Sequence, residues 1–201
     1  VSIINNDITT DYGLCLANAL PPYSHAAHNL ILNNTVRGSQ DFGVYIQSND
    51  NIVAHNRVLD SMVGVMMSGA WNTLVDSNQI LPERHFDPWG GIVMWDGGGN
   101  NTVVNNIIRR SQPNRIVDGI EVVHGVNNLI EGNTIENLEG ITLSHSYNNI
   151  VVHNILSNII HEGPDSDPHF YGSSPNAIQL YHSSNNVIMN NQIHSVESDA
   201  I

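Results

Sequence analysis

The residues best suited to chemistry lie in short segments that begin with a glycine or, once, an alanine. Each segment reads Gly-apolar-x-apolar, so the positions two and four residues after the glycine alternate with apolar ones. These alternate positions include one carboxylate, three aromatic rings and an amide that we take as site candidates, namely Glu121, Tyr45, Trp95, Tyr181 and Gln179. Aromatic rings on a shallow polar surface suit sugars, which present apolar C–H faces and hydroxyl edges. The pattern therefore predicts a polysaccharide-binding surface on which Glu121 is a catalytic candidate.

Glu121 has two interpretations. It is either a solvated carboxylate on a strand or a member of a catalytic group. Glycoside hydrolysis, for example, needs two carboxylates about 5–9.5 Å apart across the scissile bond. Asp96 and Asp118 are the available partners for such a pair.

Three histidines, His124, His145 and His182, each follow one of these segments at the turn. Neutral imidazoles stacked at a strand spacing of about 4.8 Å can share a metal ion. The other interpretation is that they are turn residues that satisfy backbone groups.

Two repeating motifs predict the elements that position these side chains. The first is the glycine motif, at Gly13, Gly43, Gly64, Gly91, Gly119 and Gly140, continued by Ala177. The second is Asn-x-apolar-x-x-Asn, whose last residues are Asn6, Asn34, Asn56, Asn78, Asn106, Asn133, Asn154 and Asn191. Successive intervals of 28, 22, 22, 28, 27, 21 and 37 residues give a base of 21–22 with insertions. A fixed period in this range indicates a stacked architecture.

We therefore predict an all-β fold, a single-stranded right-handed parallel β-helix (a solenoid). It should have about eight coils of about 22 residues, with loop insertions on one side. The apolar triplets are strands too short to stand alone, and alternate residues face the core. We expect the bends at Asn and Gly, because Asn tolerates left-handed backbone and can hydrogen-bond the Asn of the next coil. We expect residues 1–201 to form a single β-helix domain of a longer chain.

The charge and composition of the chain limit the classes of partner that it can bind. The chain has 19 acidic and 6 basic residues and a net charge of −13. A field of this sign repels nucleic acid and anionic membranes, so we expect neither as a partner. A polyanionic substrate would need a divalent cation, for which calcium is the candidate, or a local arginine cluster. The single cysteine excludes an intrachain disulfide, and no apolar run approaches the ~20 residues of a membrane span.

The insertions fall mostly before the glycine segments, at residues 81–90, 109–118 and 161–176, with a further one at residues 20–28. Insertions in a repeat protein map to loops on one side, which is often the binding side. The longest insertion contains Tyr171, a further substrate-binding candidate.

The repeats resemble the pectate-lyase-like superfamily, and are closest in texture to mannuronan C5-epimerases and to carbohydrate-binding and sugar-hydrolase repeat proteins. The Gly-Ile-x-Leu units and the units at residues 145–154 and 182–191 carry this resemblance. Asp167-Pro168-His169 is similar to the Asp-Pro-His of the epimerases. The resemblance implies that His169 is the base, that Asp167 orients or helps to neutralise the substrate, and that Arg115 is the cation.

Three functional hypotheses follow. The first is a secreted or cell-surface carbohydrate-active β-helix that acts on a polysaccharide, with polyuronate epimerase or lyase chemistry. The second is a non-catalytic structural or adhesive module that associates end to end or as a homo-oligomer. The third is a periplasmic β-helix that binds metal through the three histidines.

Overall fold

The structure, a computed structural model, describes residues 1–16, 27–82, 89–111, 118–159, 176–197 and 199–201. Within these ranges every element is a short strand, and 23 strands are numbered along the chain. None of the described residues forms a helix that is long and apolar enough to cross a membrane.

The strands form three sheets, which we call A, B and C. Sheet A contains β1 (Ser2–Ile4), β4 (Leu30–Leu32), β7 (Ile52–Ala54), β10 (Leu74–Asp76), β13 (Thr102–Val104), β16 (Leu129–Glu131), β19 (Ile150–Val152) and β22 (Val187–Met189). Sheet B contains β2 (Asp7–Thr9), β5 (Thr35–Arg37), β8 (Arg57–Leu59), β11 (Gln79–Leu81), β14 (Ile107–Arg109), β17 (Thr134–Glu136), β20 (Ile155–Ile159) and β23 (Gln192–Val196). Sheet C contains β3 (Leu14–Leu16), β6 (Phe42–Ile46), β9 (Val63–Ser68), β12 (Gly90–Trp95), β15 (Asp118–Val123), β18 (Glu139–Ser144) and β21 (Ile178–Tyr181).

The chain visits sheets A, B and C in turn, and each strand pairs in parallel with the strand three places later. One turn of the chain is therefore one coil, and the coils stack in register along an axis perpendicular to the strands. This arrangement confirms the predicted parallel β-helix.

The core is a single apolar column along the axis. In sheets A and B the central residue of each triplet points inwards, and in sheet C the apolar residue after the glycine does, as Val75, Ile80 and Ile92 do in one coil; all three are fully buried. Because each coil covers the core of its neighbours, no coil needs a core of its own.

Two asparagine ladders run parallel to the axis at two of the corners. In the ladder between sheets A and B, the Asn78 side-chain amide donates to Asn106 Oδ1 at 3.0 Å, and the Asn106 amide donates to Asn133 Oδ1 at 3.0 Å. A second ladder precedes sheet A and includes Asn128 and Asn149, joined at 2.9 Å. The predicted hydrogen bonding between asparagines of adjacent coils is therefore confirmed.

Left-handed backbone and ladder pairing belong to different residues, however. At the first ladder, Asn33 has a φ of 56° and His153 a φ of 57°, whereas Asn34 and Asn154, which follow them, make the ladder contacts. The residue before the ladder Asn makes the bend, which leaves the Asn side chain pointing along the axis. The expectation that one Asn has both properties is therefore wrong.

The prediction that the glycines of the repeat are bends is wrong for those inside the strands of sheet C, although Gly13, before β3, has a φ of 76°. Gly64, Gly91 and Gly119 lie inside β9, β12 and β15 rather than at a corner. A methyl group added at Gly91 would overlap the Ile108 side chain of sheet B and the carbonyl oxygen of Gly119. These positions are glycine because sheet C approaches the isoleucines of sheet B too closely for a side chain.

The insertions are placed by the strands that flank them. Residues 82–89 separate β11 from β12, residues 110–117 separate β14 from β15, and residues 160–177 separate β20 from β21. All three connections lead from sheet B into sheet C. The insertion near residues 20–28 instead connects β3 of sheet C to β4 of sheet A. Three of the four insertions therefore enter the sheet that carries the candidate site.

Candidate functional site

The outer face of sheet C brings three carboxyl groups together. Register pairs Asp118 with Glu139 on the neighbouring strand. Thr142, which is in register with Glu121, donates its hydroxyl to Asp118, and the charge of Glu121 raises the pKa of Asp118, so these carboxyl groups lie close together. Asp118 and Glu121 are three residues apart, and regular alternation alone would not place them on one face. The described outer face of sheet C is therefore acidic at β15 and β18.

Glu121 is half-buried and bound to a tryptophan of the preceding coil. The Trp95 indole Nε1–H donates to Glu121 Oε2 at 3.2 Å. Burial raises the pKa of Glu121 above its usual value, while the hydrogen bond from Trp95 lowers it in part. The indole favours the ionised form, so Glu121 is the member of the group best suited to act as a base.

Asp118 holds its proton more tightly than an ordinary aspartate. Burial, followed by the nearby carboxyl of Glu121, raises the pKa of Asp118 to about 7, although the Thr142 hydroxyl opposes this shift. That hydroxyl donates to Asp118 Oδ1 at 2.8 Å and fixes the orientation of the carboxyl. A carboxyl that exchanges its proton near neutral pH suits a general acid.

Glu139 is the most deeply buried of the three, with 5% of its surface exposed. Burial, followed by the carboxyls of Asp118 and Glu121, raises the pKa of Glu139 to about 9. Glu139 is therefore protonated at neutral pH, as expected for like charges that cannot all ionise in one site.

An apolar and aromatic surface adjoins the carboxyl groups on the side of the earlier coils. Val63, Met66 and Val93 point outwards from sheet C yet are buried, because Phe42, Tyr45 and Trp95 pack around them. Phe42 and Tyr45 stack with ring centroids 4.9 Å apart. The Trp89 and Trp95 ring centroids are 5.0 Å apart. We call the group of Phe42, Tyr45, Trp89 and Trp95 the aromatic surface.

The structure brings some of the predicted site residues together and separates others. Trp95 and Glu121 are in direct contact, and Tyr45 lies in the same cluster as Trp95. Gln179 lies two strands from Glu121, in register with Thr142. Tyr181, 53% exposed, packs instead against His145 and His182 at the corner after sheet C.

Four predicted residues, His169, Asp167, Arg115 and Tyr171, lie outside the described residues. Arg115 belongs to the connection that enters β15, and the other three belong to the connection that enters β21. Their roles stay predictions. Both connections lead into strands that flank β18, on which Glu139 lies.

The two carboxylate pairs proposed for hydrolysis differ. Asp96 is exposed at a left-handed turn with a φ of 62°, where the Ser68 hydroxyl donates to its Oδ2 at 2.6 Å. It therefore lies at the corner rather than among the outward side chains of sheet C. Asp118 and Glu121 are close enough for the charge of one to raise the pKa of the other.

Sequence reasoning missed Glu139, Thr142 and Trp89. Asp118 and Glu139 each directly precede a glycine of the repeat and lie 21 residues apart, which is one base period, so the sequence places them at equivalent positions of adjacent coils. Their side of the sheet was not predictable, because each lies three residues before an outward residue and strict alternation would put it on the opposite face.

The three histidines form a stacked column at the corner after sheet C. The ring centroids of His124 and His145 are 5.3 Å apart, and those of His145 and His182 are 5.0 Å apart. Within the part of the chain that the structure describes, no three His, Cys, Asp or Glu side chains are arranged to hold a metal ion.

Comparison with known proteins identifies the class to which this fold belongs. The sequence model of the family described as a right handed beta helix region matches residues 23–165. The match covers more than half of the chain, so the chain belongs to the right-handed β-helix family. This membership also confirms the predicted handedness and the resemblance to the superfamily.

Individual relatives are more distant. The 3-dehydroshikimate dehydratase of Acinetobacter baylyi is 28% identical over an alignment of 100 residues, which covers 45% of this chain and 21% of that protein. The crystal structure of the periplasmic alginate epimerase AlgG superposes with a TM-score of 0.65 at 18% identity, over 96% of this chain and 50% of that one. The Streptococcus pneumoniae surface protein and adhesin PfbA superposes with a TM-score of 0.60 at 13% identity, over 87% and 48%.

The chain spans about a fifth of the length of the dehydratase and about half of each of the two solved structures. At these identities the two solved structures establish similarity of fold alone.

Proposed function

We propose that this chain transfers protons at a sugar carbon of a polysaccharide, as an epimerase or a lyase, through the carboxyl groups on the outer face of sheet C. The observation that carries the proposal is the pair formed by Glu121 and Asp118. Trp95 donates to the first and Thr142 to the second, and the pKa of Asp118 is about 7. Two titratable groups whose environments hold them in different protonation states make an acid and base pair.

Each carboxyl has a role in this proposal. Glu121, favoured in its ionised form by the indole of Trp95, removes a proton from the carbon next to a carbonyl group. Asp118 in its protonated form donates a hydrogen bond to the oxygen on which negative charge develops, as a neutral carboxylic acid can do at pH 7. Such a donor also lessens the need for a cation beside an acidic sugar.

The aromatic surface supports a sugar as the substrate. Tyr45 and Trp95 lie on alternate strands of sheet C, on the same side of the carboxyl groups. Their rings can contact the apolar faces of sugars in a chain that lies along the helix axis. The predicted roles of Gln179, Tyr181 and Tyr171 in binding, and of His169, Asp167 and Arg115 in catalysis, belong to the same proposal.

The names of two relatives agree with this chemistry. One is an epimerase and the other a dehydratase. Epimerisation and dehydration commonly begin when a base removes a proton from carbon. The two solved structures are named as a periplasmic protein and a surface protein, which favours an extracellular or periplasmic location, and we propose this location for the chain.

A proton NMR time course of the protein with neutral and uronate polysaccharides tests this proposal. Calcium is varied because clustered carboxylates are the ligands it prefers. Anomeric signals that interconvert would identify an epimerase, and vinyl signals that grow would identify a lyase. Glu121→Gln should lower the rate by about a hundredfold or more, whereas Glu136→Gln on sheet B should not. Unchanged spectra with every polysaccharide would contradict the proposal.

The outer face of sheet A favours a second candidate, a structural or adhesive module. One outward column of this sheet contains Leu30, Ile52, Leu74, Leu129, Ile150 and Val187, with Thr102 between Leu74 and Leu129. Ile52, Ile150 and Val187 are 38%, 42% and 47% exposed. An exposed apolar strip of this kind marks a contact surface. Sedimentation velocity over a range of concentrations should then show self-association, which Ile150→Asp should weaken, and a strictly monomeric protein would exclude it.

A further inference from the structure

The carboxyl groups of Asp118, Glu121 and Glu139 determine the charge of the outer face of sheet C. In the described strands of this sheet they are the only Asp or Glu side chains, and those strands contain no Lys, Arg or His. The arginines in the described part of the chain lie on or directly after strands of sheet B, and are Arg37, Arg57, Arg109 and Arg110. Over its described residues, this face therefore carries negative charge and no positive charge.

The neighbours of Glu121 along the helix axis are uncharged. Register places Val93 on one side of Glu121 and Thr142 on the other. Beyond Val93 the same column continues with Met66 and Tyr45, and rings of the aromatic surface bury Val93 and Met66. A carboxylate brought onto this surface would lose water without gaining an opposite charge, whereas a methyl ester loses little and can bury its methyl group.

The chemistry assigned to Glu121 and Asp118 also fits an uncharged carbonyl group. Glu121 takes the proton from the carbon beside the carbonyl, the C–H electron pair moves towards the carbonyl, and the carbonyl oxygen becomes negative. In an ester this oxygen gains a single negative charge, which a hydrogen bond from Asp118 can stabilise. In a carboxylate the same step places two negative charges beside the carboxyl groups of the site, and the described face offers no cation to balance them.

The ester bond itself is neither formed nor broken in this reaction. In an epimerase, Glu121 releases its proton to solvent, and a proton from solvent returns to the opposite face of the same carbon. In a lyase, the electron pair forms a carbon–carbon double bond, the glycosidic bond at the next carbon breaks, and the departing oxygen takes up the proton held by Glu121. The protons and electrons balance in both cases without a further reactant.

We propose that the polysaccharide that reacts at Glu121 and Asp118 is an esterified, uncharged polyuronate rather than the free acid. This rests on the proposed function and names its substrate class. Arg115, for which the resemblance implies the role of cation, belongs to a connection outside the described residues. A site completed by Arg115 would favour the free acid, so the two cases predict opposite preferences.

Oligomers of galacturonate and of mannuronate, each as the free acid and as the full methyl ester, test the proposal. Calorimetry measures binding and proton NMR measures turnover, with a chelator present so that no divalent cation neutralises the acid. For the sugar that the protein accepts, the ester should bind at least about tenfold more tightly than the acid at about pH 7.5, and its kcat/KM should be higher by a similar factor.

Glu121→Gln tests whether the carboxyl groups cause this preference, because it removes a negative charge and changes the shape little. The variant should lose turnover of both forms. It should bind the acid oligomer at least about threefold more tightly than the wild type does, while its binding of the ester stays the same. Glu136→Gln on sheet B is the matched control and should change neither affinity.

The outcomes separate this proposal from the proposed function. Equal or better turnover of the free acid would overturn the proposal and leave the proposed function in place. An ester preference that Glu121→Gln leaves as wide as Glu136→Gln does would also overturn it, since the carboxyl groups would not be its cause. Ester-selective binding that Glu121→Gln narrows, without turnover of any oligomer, would support selection by charge and contradict the proposed function. Failure of every oligomer to bind or react would contradict both.

Discussion

Asp118 and Glu139 lie opposite each other on neighbouring strands of sheet C, and the carboxyl of Asp118 contributes to the raised pKa of Glu139. The register of a parallel sheet fixes the separation of these two side chains, because both point to the same face one strand spacing apart. In the folded protein these two carboxyl groups therefore keep their protons to a higher pH than isolated carboxyl groups do.

This arrangement makes stability fall as the pH rises. In the unfolded chain Asp118 and Glu139 lose their protons near pH 3.8 and 4.5, whereas in the folded chain their pKa values are about 7 and about 9. Between these limits the folded state binds more protons, so the free energy of unfolding decreases by about 1.4 kcal/mol per pH unit for each such group. Denaturant unfolding followed from about pH 5 to about pH 9 measures this slope.

Glu139→Gln isolates the effect, because the amide is neutral at every pH. The variant should lose stability more slowly than the wild type between neutral pH and about pH 9. Glu136→Gln removes a carboxylate from sheet B and should leave the slope unchanged. Identical slopes for the wild type and Glu139→Gln would show that Glu139 ionises normally in the folded protein.

Trp95→Phe should raise the pKa of Glu121. The substitution keeps an aromatic ring on the surface but removes the indole N–H, which donates to Glu121 Oε2 and favours the ionised carboxylate. Loss of this hydrogen bond therefore leaves burial as the dominant influence on the carboxyl and raises its pKa further. Carbon NMR titration of the Glu121 carboxyl measures this directly, and the acid limb of any pH–rate profile should move in the same direction. Tyr45→Phe changes another ring of the aromatic surface and should leave the pKa of Glu121 unchanged.

The fold was predictable because the repeat constrains it at every coil. The asparagines at the corners and the alternating apolar residues recur often enough to reveal the period despite insertions. The asparagines form the predicted ladders, and the apolar residues form the predicted strands and core. Glu121 and Trp95 were found for the same reason, since parity alone places them on the outer face. Residues at equivalent positions of the repeat are thus easy to identify from sequence.

Contacts across coils were harder to predict, because they depend on exact register. Glu139 and Asp118 are one base period of 21 residues apart, but strict alternation from Glu121 and Thr142 would place both on the opposite face of the sheet. The role of the glycines was misjudged for a related reason. Nothing in the sequence near Gly91 shows that Ile108, from the next coil, occupies the space where its side chain would lie.

Gly91→Ala should therefore destabilise the protein by about 3 kcal/mol, through overpacking rather than backbone strain. The added methyl meets Ile108 and the carbonyl oxygen of Gly119, and the backbone oxygen cannot move without disturbing the ladder of sheet C. Chemical denaturation gives the change in the free energy of unfolding.

Gly38→Ala provides the comparison for this substitution. Gly38 has a φ of +75° but no atom within 4 Å of an added methyl, so only backbone strain of about 1 kcal/mol is expected there. If Gly91→Ala proved no more harmful than Gly38→Ala, close packing between sheets B and C would not be the reason for the glycine.

Thr73→Asn should stabilise the protein by completing the second asparagine ladder. Thr73 is 1% exposed and occupies a ladder position between Asn51 and Asn101. Its backbone N–H donates to Asn101 Oδ1 at 2.9 Å, but its hydroxyl makes only a 3.4 Å contact with the Trp71 carbonyl. An asparagine there can accept from the backbone of Asn51 and donate to Asn101, as Asn128 does with Asn149 and its neighbours.

Two further buried hydrogen bonds should add about 1 kcal/mol to the free energy of unfolding, measured by denaturant titration. The control is Thr102→Asn, which makes the same change on the outer face of β13, where no ladder passes and no gain is expected. A loss of stability in Thr73→Asn, with Thr102→Asn neutral, would mean that the threonine fills a corner too narrow for the amide. Packing at this corner would then be the reason why the asparagine ladder is interrupted by Thr73.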